Sequence, residues 1–219
     1  MVHTPRTSPP PAELVTHGKR WTVRYESIAS GSSTGDWATQ SAKKVLAVAL
    51  RGLAHGKCVY CESALGVTTY LEIEHYVAKT VTPALAFEWT NLLPACRLCN
   101  NPKSEQDHKG ALLKPDAVDP EPYFWIHPDT GKLEPHPKLD AAQSRRANET
   151  IRICDLQRPA LCTKRVEMLM RALQATASQW EELCDPRTEY KFVLRHVLET
   201  RGQHQIAEID RVRFTRAPA

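Results

Sequence analysis

The sequence predicts an α+β fold that is mainly helical, with a small cysteine-stapled core flanked by an N-terminal helix and a C-terminal helical region. Three observations predict it. Two C-x2-C pairs, Cys58/Cys61 and Cys96/Cys99, bracket a β-rich stretch. Apolar residues recur at helical spacing on both sides of that stretch. The 219 residues are 42% hydrophobic and 25% charged, the balance of a folded globular chain rather than a disordered one.

Residues 1–12, rich in Pro, Ser and Thr, read as a disordered lead-in, and Gly31 to Gly35 as a flexible loop. From about Ala38 to His55, Leu46, Leu50 and Leu53 fall at i, i+4 and i+7, which predicts a helix with Gly56 as its stop. Residues 67–77 carry Val67, Thr68, Thr69, Tyr70, Ile73, Tyr76 and Val77 and predict one arm of a hairpin. Residues 79–90, with Pro83, Phe87 and Trp89, read as an ordered excursion. A short helix is expected from Arg97 toward Gln106. Phe124 to Ile126, the turn Pro128 to Gly131 and Lys132-Leu133 predict a second, small hairpin. Beyond Pro137 the pattern is helical, with stripes Cys162/Val166/Leu169/Leu173 and Tyr190/Val193/Leu194/Val197/Leu198. Arg211, Arg213 and Arg216 form a basic tail. The chain thus divides into a partly flexible extension (1–37), a central unit (38–140, core about 57–107) and a helical region (141–219).

No run of about 18 apolar residues exists, so no membrane span is expected. The opening residues lack the apolar core of a secretory signal, so the expected location is cytoplasmic. In a reducing compartment seven cysteines, an odd number, argue against a disulfide framework. The net charge of +4 is unevenly spread. Residues 1–57 carry 8 basic and 3 acidic side chains, 58–140 carry 7 and 12, and 141–219 carry 14 and 10. Basic flanks suit a phosphate backbone and an acidic centre suits a cation, although solvated helix faces give the same numbers.

Each C-x2-C knuckle can present two thiolates to one ion, and the two together complete a four-thiolate Zn2+ site. Four protein ligands leave no open position, so the metal is expected to be structural. An iron–sulfur cluster and a chance grouping of buried thiols are the competing readings. Cys154, Cys162 and Cys184 lack such spacing, and Cys162 belongs to an apolar stripe.

The 34 residues between the knuckles hold Leu71-Glu72-Ile73-Glu74-His75-Tyr76 and then Asn91-Leu92-Leu93. Strand alternation puts Ile73 and His75 on one face and Glu74 on the other. Asn100 and Lys103 follow Cys99. Taken singly, these residues have plainer readings: Glu74 a solvated carboxylate, Asn91 a turn former, Asn100 a helix cap. His55, His108, His127 and His136 read as surface or local structure, and Phe87, Trp89 and Trp125 as packing.

In order, the string is C-x2-C, Glu-His, Asn-Leu, C-x2-C-Asn, Lys. It resembles the zinc-stapled branch of the HNH endonucleases, whose ββα-metal core grips one divalent ion. The resemblance implies that His75 is a general base and Glu74 a ligand of the catalytic Mg2+ or Mn2+. It implies that Asn91 orients the histidine and that Asn100 completes the cation site, with Glu74 in place of the commoner Asp and Asn100 in place of a final His. Lys57 to Glu62, Ile73 to His75, Phe87 to Leu93 and Ala95 to Asn100 are further similar to the HNH subunit of Septu-type and retron-associated anti-phage systems. Leu112 to Pro115, Gly131 to Leu133 and Thr150-Ile151 extend that similarity, while Val77-Ala-Lys79 departs from it. The similarity implies cleavage of DNA to 5′ phosphate and 3′ hydroxyl ends, in defence against phage, with a separate ATPase subunit.

The chemistry is coherent by itself. A neutral imidazole takes a proton from water, a hard cation carries charge on the phosphate and the leaving oxygen, and Lys103 and Lys79 can contact the flanking phosphate. The alternative is a zinc module that binds nucleic acid or protein without cutting. Such a module needs the four cysteines but not Glu74, His75 and Asn91 together.

Overall fold

The computed structural model describes residues 1–66, 69–104, 108 and 110–201, with the backbone alone for 199–201. The fold is mainly helical, with a small β-hairpin and helix at its centre and helices on either side. Val67 and Thr68, the far end of the helix expected to reach Gln106, and the basic tail Arg211, Arg213 and Arg216 lie outside the described residues.

The first helix, α1 (Ala12–Ala29), was not among the expected elements. It buries Leu14, Gly18 and Tyr25, with Trp21 and Ile28 partly buried beside them. These fall at steps of 4, 3, 4 and 3, but Gly18 and the β-branched and aromatic residues between them weaken the helical signal. The lead-in is also not loose. Met1 is buried, Val2 N–H donates to Val59 O at 2.9 Å, and Thr4 N–H donates to Pro115 O at 3.1 Å. Arg6 bonds Asp116 and the Leu92 carbonyl, each at 2.6 Å, and lies over the Trp89 ring. Main-chain and side-chain bonds, which composition does not reveal, fasten this Pro-rich segment.

Helix α2 (Gln40–Leu53) forms as its pattern requires. Thr39 caps it by accepting from Ala42 N–H, and Ala42, Leu46 and Leu50 are buried. Burying each leucine contributes about 1.5–3 kcal/mol. The chain leaves the helix through His55 (φ 52°) and Gly56 (φ 77°) directly into Cys58.

Strand β1 (Leu71–His75) pairs antiparallel with β2 (Leu92–Cys96), so that Leu71 lies opposite Cys96 and His75 opposite Leu92. Between them run 76–91, with 3-10 turns at Pro83–Leu85 and Trp89–Asn91. Helix α3 (Arg97–Lys103) starts directly after β2. This β-hairpin and helix is the arrangement of a ββα-metal module.

The second hairpin is β3 (Phe124–Ile126) with β4 (Leu133–Pro135). Helix α4 (Ala141–Ile153) opens on a reciprocal Asp140/Gln143 capping box. Helices α5 (Pro159–Gln174), α6 (Ala177–Leu183) and α7 (Val193–Arg201) complete the described chain. Tyr190, Val193, Leu194 and Val197 are buried, as their stripe predicts. The α5 stripe is rotated from the expected one. Leu161, Cys162, Arg165, Met168, Leu169 and Ala172 face inward, whereas Leu173 is 38% exposed. Arg165 belongs to the inward face, where its guanidinium donates to Gly131 O at 3.2 Å and lies over Phe192.

Two apolar clusters result. One joins α1 and α2 to Phe87, Trp89 and Leu92. The other joins the cysteine knuckles to β3, β4 and the helices after residue 140 in one continuous core.

At Gly131 (φ 65°) a Cβ would sit 2.1 Å from the Cys162 carbonyl oxygen. Gly131→Ala should therefore cost at least about 1–3 kcal/mol, from the left-handed backbone and the backbone clash together. Chemical denaturation of the two proteins measures this, and an unchanged midpoint would mean that the turn is not held against α5.

Candidate metal and catalytic site

The hairpin register brings the two knuckles together. Cys58 and Cys61 lie in the turn after α2, Cys96 ends β2 and caps α3, and Cys99 sits in the first turn of α3. Their four Sγ atoms lie within 4.8 Å of one another and are all buried, with Cys61 and Cys96 at 3.7 Å. Four sulfurs in that volume can hold one tetrahedral, thiophilic ion such as Zn2+. Hydrogen bonding from Cys58 holds the Cys61 and Cys96 thiols below the ordinary range, while burial pushes Cys58 up and its contact pushes Cys99 up. Packed thiols divide their protons in this way because buried thiolates cannot all ionise side by side without a cation.

The C-terminal region grips this cluster from outside. Arg158 donates to Cys99 Sγ at 3.4 Å and to the Leu98, Cys154 and Asp155 carbonyls. Ser63 Oγ and Tyr190 Oη are 2.9 Å apart, and Ala64 N–H donates to Glu189 at 2.6 Å. Neither set of partners carries a sequence signal.

A cleft of about 410 Å³ lies beside the cluster, lined by Ile73, Glu74, His75, Ala78, Lys79, Asn100, Asn101 and Ser104. Four of the expected site residues, Glu74, His75, Lys79 and Asn100, border it together. Glu74 and His75 reach it from opposite faces of β1.

His75 ends β1 on the side of α2. Its Nε2–H donates to Ala86 O at 3.0 Å, since a carbonyl can only accept. That leaves Nδ1 as the basic nitrogen. Trp37 stands edge-on to the ring, with centroids 4.7 Å apart. Burial, reinforced by the Lys79 charge, lowers the His75 pKa to about 3, so the ring is neutral at ordinary pH.

Asn91 does not touch the imidazole. Its Oδ1 accepts from Val77 N–H at 2.8 Å, and its Nδ2 donates to Val77 O and Leu85 O, both at 3.0 Å. It closes the 76–91 loop on itself and so fixes the Ala86 carbonyl that holds His75. The amide was expected at the ring; the structure puts a main-chain carbonyl there, one residue beyond an Asn91 acceptor.

Glu74 is 2% exposed. Its Oε1 accepts from Lys103 Nζ at 2.9 Å and from Tyr60 Oη at 3.2 Å. Burial raises its pKa, against the opposing pull of Lys103 and Tyr60. Lys103, expected at a phosphate, is instead 1% exposed and also donates to His75 O at 2.8 Å. Helical periodicity explains the difference: Lys103 shares a face of α3 with Cys99 and Asn100, which packs on β1. Asn100 Nδ2 donates to Glu72 Oε2 at 2.8 Å. Glu72, Tyr60, Trp37 and Ala86 were all missed. Only Glu72 had a signal, since strand alternation puts it on the face of Glu74.

The chemistry of the donors suits two different ions. Thiolates suit zinc, and the oxygens of Glu74 and Asn100 on a polar cleft suit a hard cation such as Mg2+ or Mn2+.

Comparison with known proteins agrees with this geometry. Residues 58–106 match the HNH endonuclease family. The match begins at Cys58 and takes in both knuckles, the hairpin and α3. The chain is also 34% identical over 120 residues to a Septu protein PtuB of Bacillus thuringiensis, covering 54% of this chain and 43% of that protein. It is 28% identical over 150 residues to a Septu protein PtuB of Bacillus mycoides (strain KBAB4), covering 54% and 49%. The chain thus spans less than half the length of these relatives. It carries an HNH-type domain related to Septu defence proteins.

Lys103→Met strands the Glu74 carboxylate in the interior and should destabilise the fold by about 3–5 kcal/mol. Adding Glu74→Leu removes the stranded charge and should recover most of that loss. Urea denaturation of the parent, the single and the double variant measures both. A single variant as stable as the parent would show that the pair is not closed in solution.

Proposed function

We propose that this chain is a metal-dependent endonuclease of HNH type that hydrolyses phosphodiester bonds of DNA. In this reading the four cysteines hold a structural Zn2+. Glu74 and Asn100 hold one Mg2+ or Mn2+, and His75 is the general base. One observation carries the reading: His75, Glu74 and Asn100 border a single cleft beside the cysteine cluster.

The residues divide the work as follows. His75 Nδ1, the ring nitrogen left without a proton once Nε2–H donates to Ala86 O, takes the proton of the attacking water in this reading. Trp37 and the Ala86 carbonyl stop the ring from turning. Asn91 keeps that carbonyl in place. Lys79, half-buried on the cleft, is the lysine that meets a flanking phosphate in this reading. A bound divalent cation supplies positive charge to the phosphoryl and leaving oxygens. The products are a 5′ phosphate and a 3′ hydroxyl.

The similarity to Septu proteins supports a role in defence. A Septu-like role implies action against phage beside an ATPase subunit, within the cytoplasm. No described helix is long and apolar enough to cross a membrane.

Plasmid nicking in Mg2+ or Mn2+ tests the reading. The parent should convert supercoiled DNA to nicked and linear forms. His75→Ala should lose about 100-fold or more in rate while keeping its zinc and its fold. Equal rates would remove His75 from the mechanism. Zinc-loaded parent that binds DNA without cutting, alone or with its ATPase partner, would favour the non-catalytic module.

Metal content is a separate measurement. Cys58→Ser and Cys99→Ser should lose zinc and melt far lower, because metal binding is coupled to folding. Both variants melting like the parent without zinc would overturn the structural-metal assignment.

A further inference from the structure

We infer that Glu72 is a positioning residue for the cleft, holding Asn100 so that its amide oxygen, not its amide nitrogen, is offered beside Glu74 to a divalent cation. The inference rests on the proposed cation site and names the group that aims one of its two ligands.

Strand period and helix period meet here. Residues 72 and 74 project from the same side of β1, two residues apart. Residues 100 and 103 share one face of α3, three residues apart. Two polar rungs therefore cross from strand to helix. Asn100 Nδ2 meets Glu72 Oε2 at 2.8 Å, and Lys103 Nζ meets Glu74 Oε1 at 2.9 Å.

Each rung has a chemical direction. An ionised carboxylate only accepts, so the end of the Asn100 amide that faces Glu72 must be the NH2. Oδ1 then lies on the other end, free of that contact. On the second rung the Glu74 carboxylate takes Lys103 and Tyr60 at Oε1 and a main-chain bond from His75, and its two oxygens still have lone pairs beyond those donors. The rungs thus turn the donors toward each other and leave the Asn100 amide oxygen and the Glu74 carboxylate as the hard oxygens on the cleft. The described residues lining the cleft include Glu74 and Asn100 but not Glu72. Glu72 acts through Asn100 rather than on the cation.

An amide without that partner turns over freely. With its NH2 toward the cleft it presents two donors to a cation, which repels them. Glu72→Leu frees the amide in this way. Glu72→Gln keeps it in place, because the glutamine oxygen also accepts from Nδ2.

The test measures binding rather than cleavage. The full chain, loaded with zinc at the cysteines, is titrated with Mn2+ and free Mn2+ is followed by electron paramagnetic resonance. The parent should bind one Mn2+, and the Glu74→Leu/Lys103→Met double variant, which leaves no charge stranded in the interior, should abolish binding. Glu72→Leu should weaken it by about tenfold or more, the usual effect of losing a residue that orients a metal ligand. Glu72→Gln should stay close to the parent. Both Glu72 variants should keep zinc and melting temperature, since Glu72 is only half-buried. Glu72→Ala provides the same comparison should leucine itself lower the melting temperature. Glu72→Leu and Glu72→Ala binding like the parent would overturn the positioning role while leaving the cation site intact. Glu72→Gln binding as weakly as Glu72→Leu would overturn it in favour of a charge effect. A parent that binds no Mn2+ would overturn the cation site, and this role with it.

Discussion

The grouping of four cysteine sulfurs within 4.8 Å is the constraint on which the rest of the molecule depends. The elements around it are too short to persist alone. β1 and β2 have five residues each, and α3 has seven with Pro102 inside it. An isolated two-stranded hairpin is marginal in water, and so is a two-turn helix. Joining Cys58 and Cys61 to Cys96 and Cys99 ties the turn after α2 to the junction of β2 and α3. The C-terminal helices complete the mounting through Arg158 on the second knuckle and the 188–192 turn on the first, where Lys57 donates to Thr188 O and Tyr190 meets Ser63.

From that junction the two faces of β1 are built by different physics. The His75 face is apolar. Ile73 and Trp37 pack into the cluster of α1 and α2, and the imidazole is held by an aromatic edge and one main-chain carbonyl. Such surroundings disfavour the charged ring and keep it neutral. The Glu74 face is polar and is satisfied pair by pair by α3 and Tyr60. A buried carboxylate requires such partners, because an unpaired one would take up a proton and lose its use as a ligand. One five-residue strand thus separates a buried imidazole from a buried, paired carboxylate by alternation.

Spacing and alternation made the centre legible in the sequence. The two C-x2-C pairs announced the cluster, and alternation split Glu74 from His75 correctly. Leu46 and Leu50 marked α2, and Phe124 to Leu133 marked the second hairpin. What was hidden depends on contacts remote in sequence. The lead-in read as loose because nothing in Pro, Ser and Thr reveals that Arg6 reaches Asp116, 110 residues away. Helix α1 was hidden by the glycine in its stripe, and the inward face of α5 includes Arg165, which an apolar stripe leaves out. At the site, Asn91 was visible as a residue but not in its action, which passes through the backbone of 77 and 85. Ala86 acts through its carbonyl, and a carbonyl leaves no trace in residue type.

Lys103 shows why these constraints converge on α3. A lysine in an acidic, nucleic-acid-like motif reads naturally as a phosphate contact, because lysine is costly to bury. Here the cost is offset by two acceptors at 2.8 and 2.9 Å, the His75 carbonyl and Glu74. One ammonium therefore touches the main chain of one site residue and the side chain of its neighbour. Its own position is set by the helix that Cys96 caps and Cys99 anchors. Displacing the cluster displaces α3, and with it Asn100 and Lys103, so the geometry at Glu74 and His75 cannot be kept while that of the thiols is lost. A closed four-ligand metal has no coordination position for substrate.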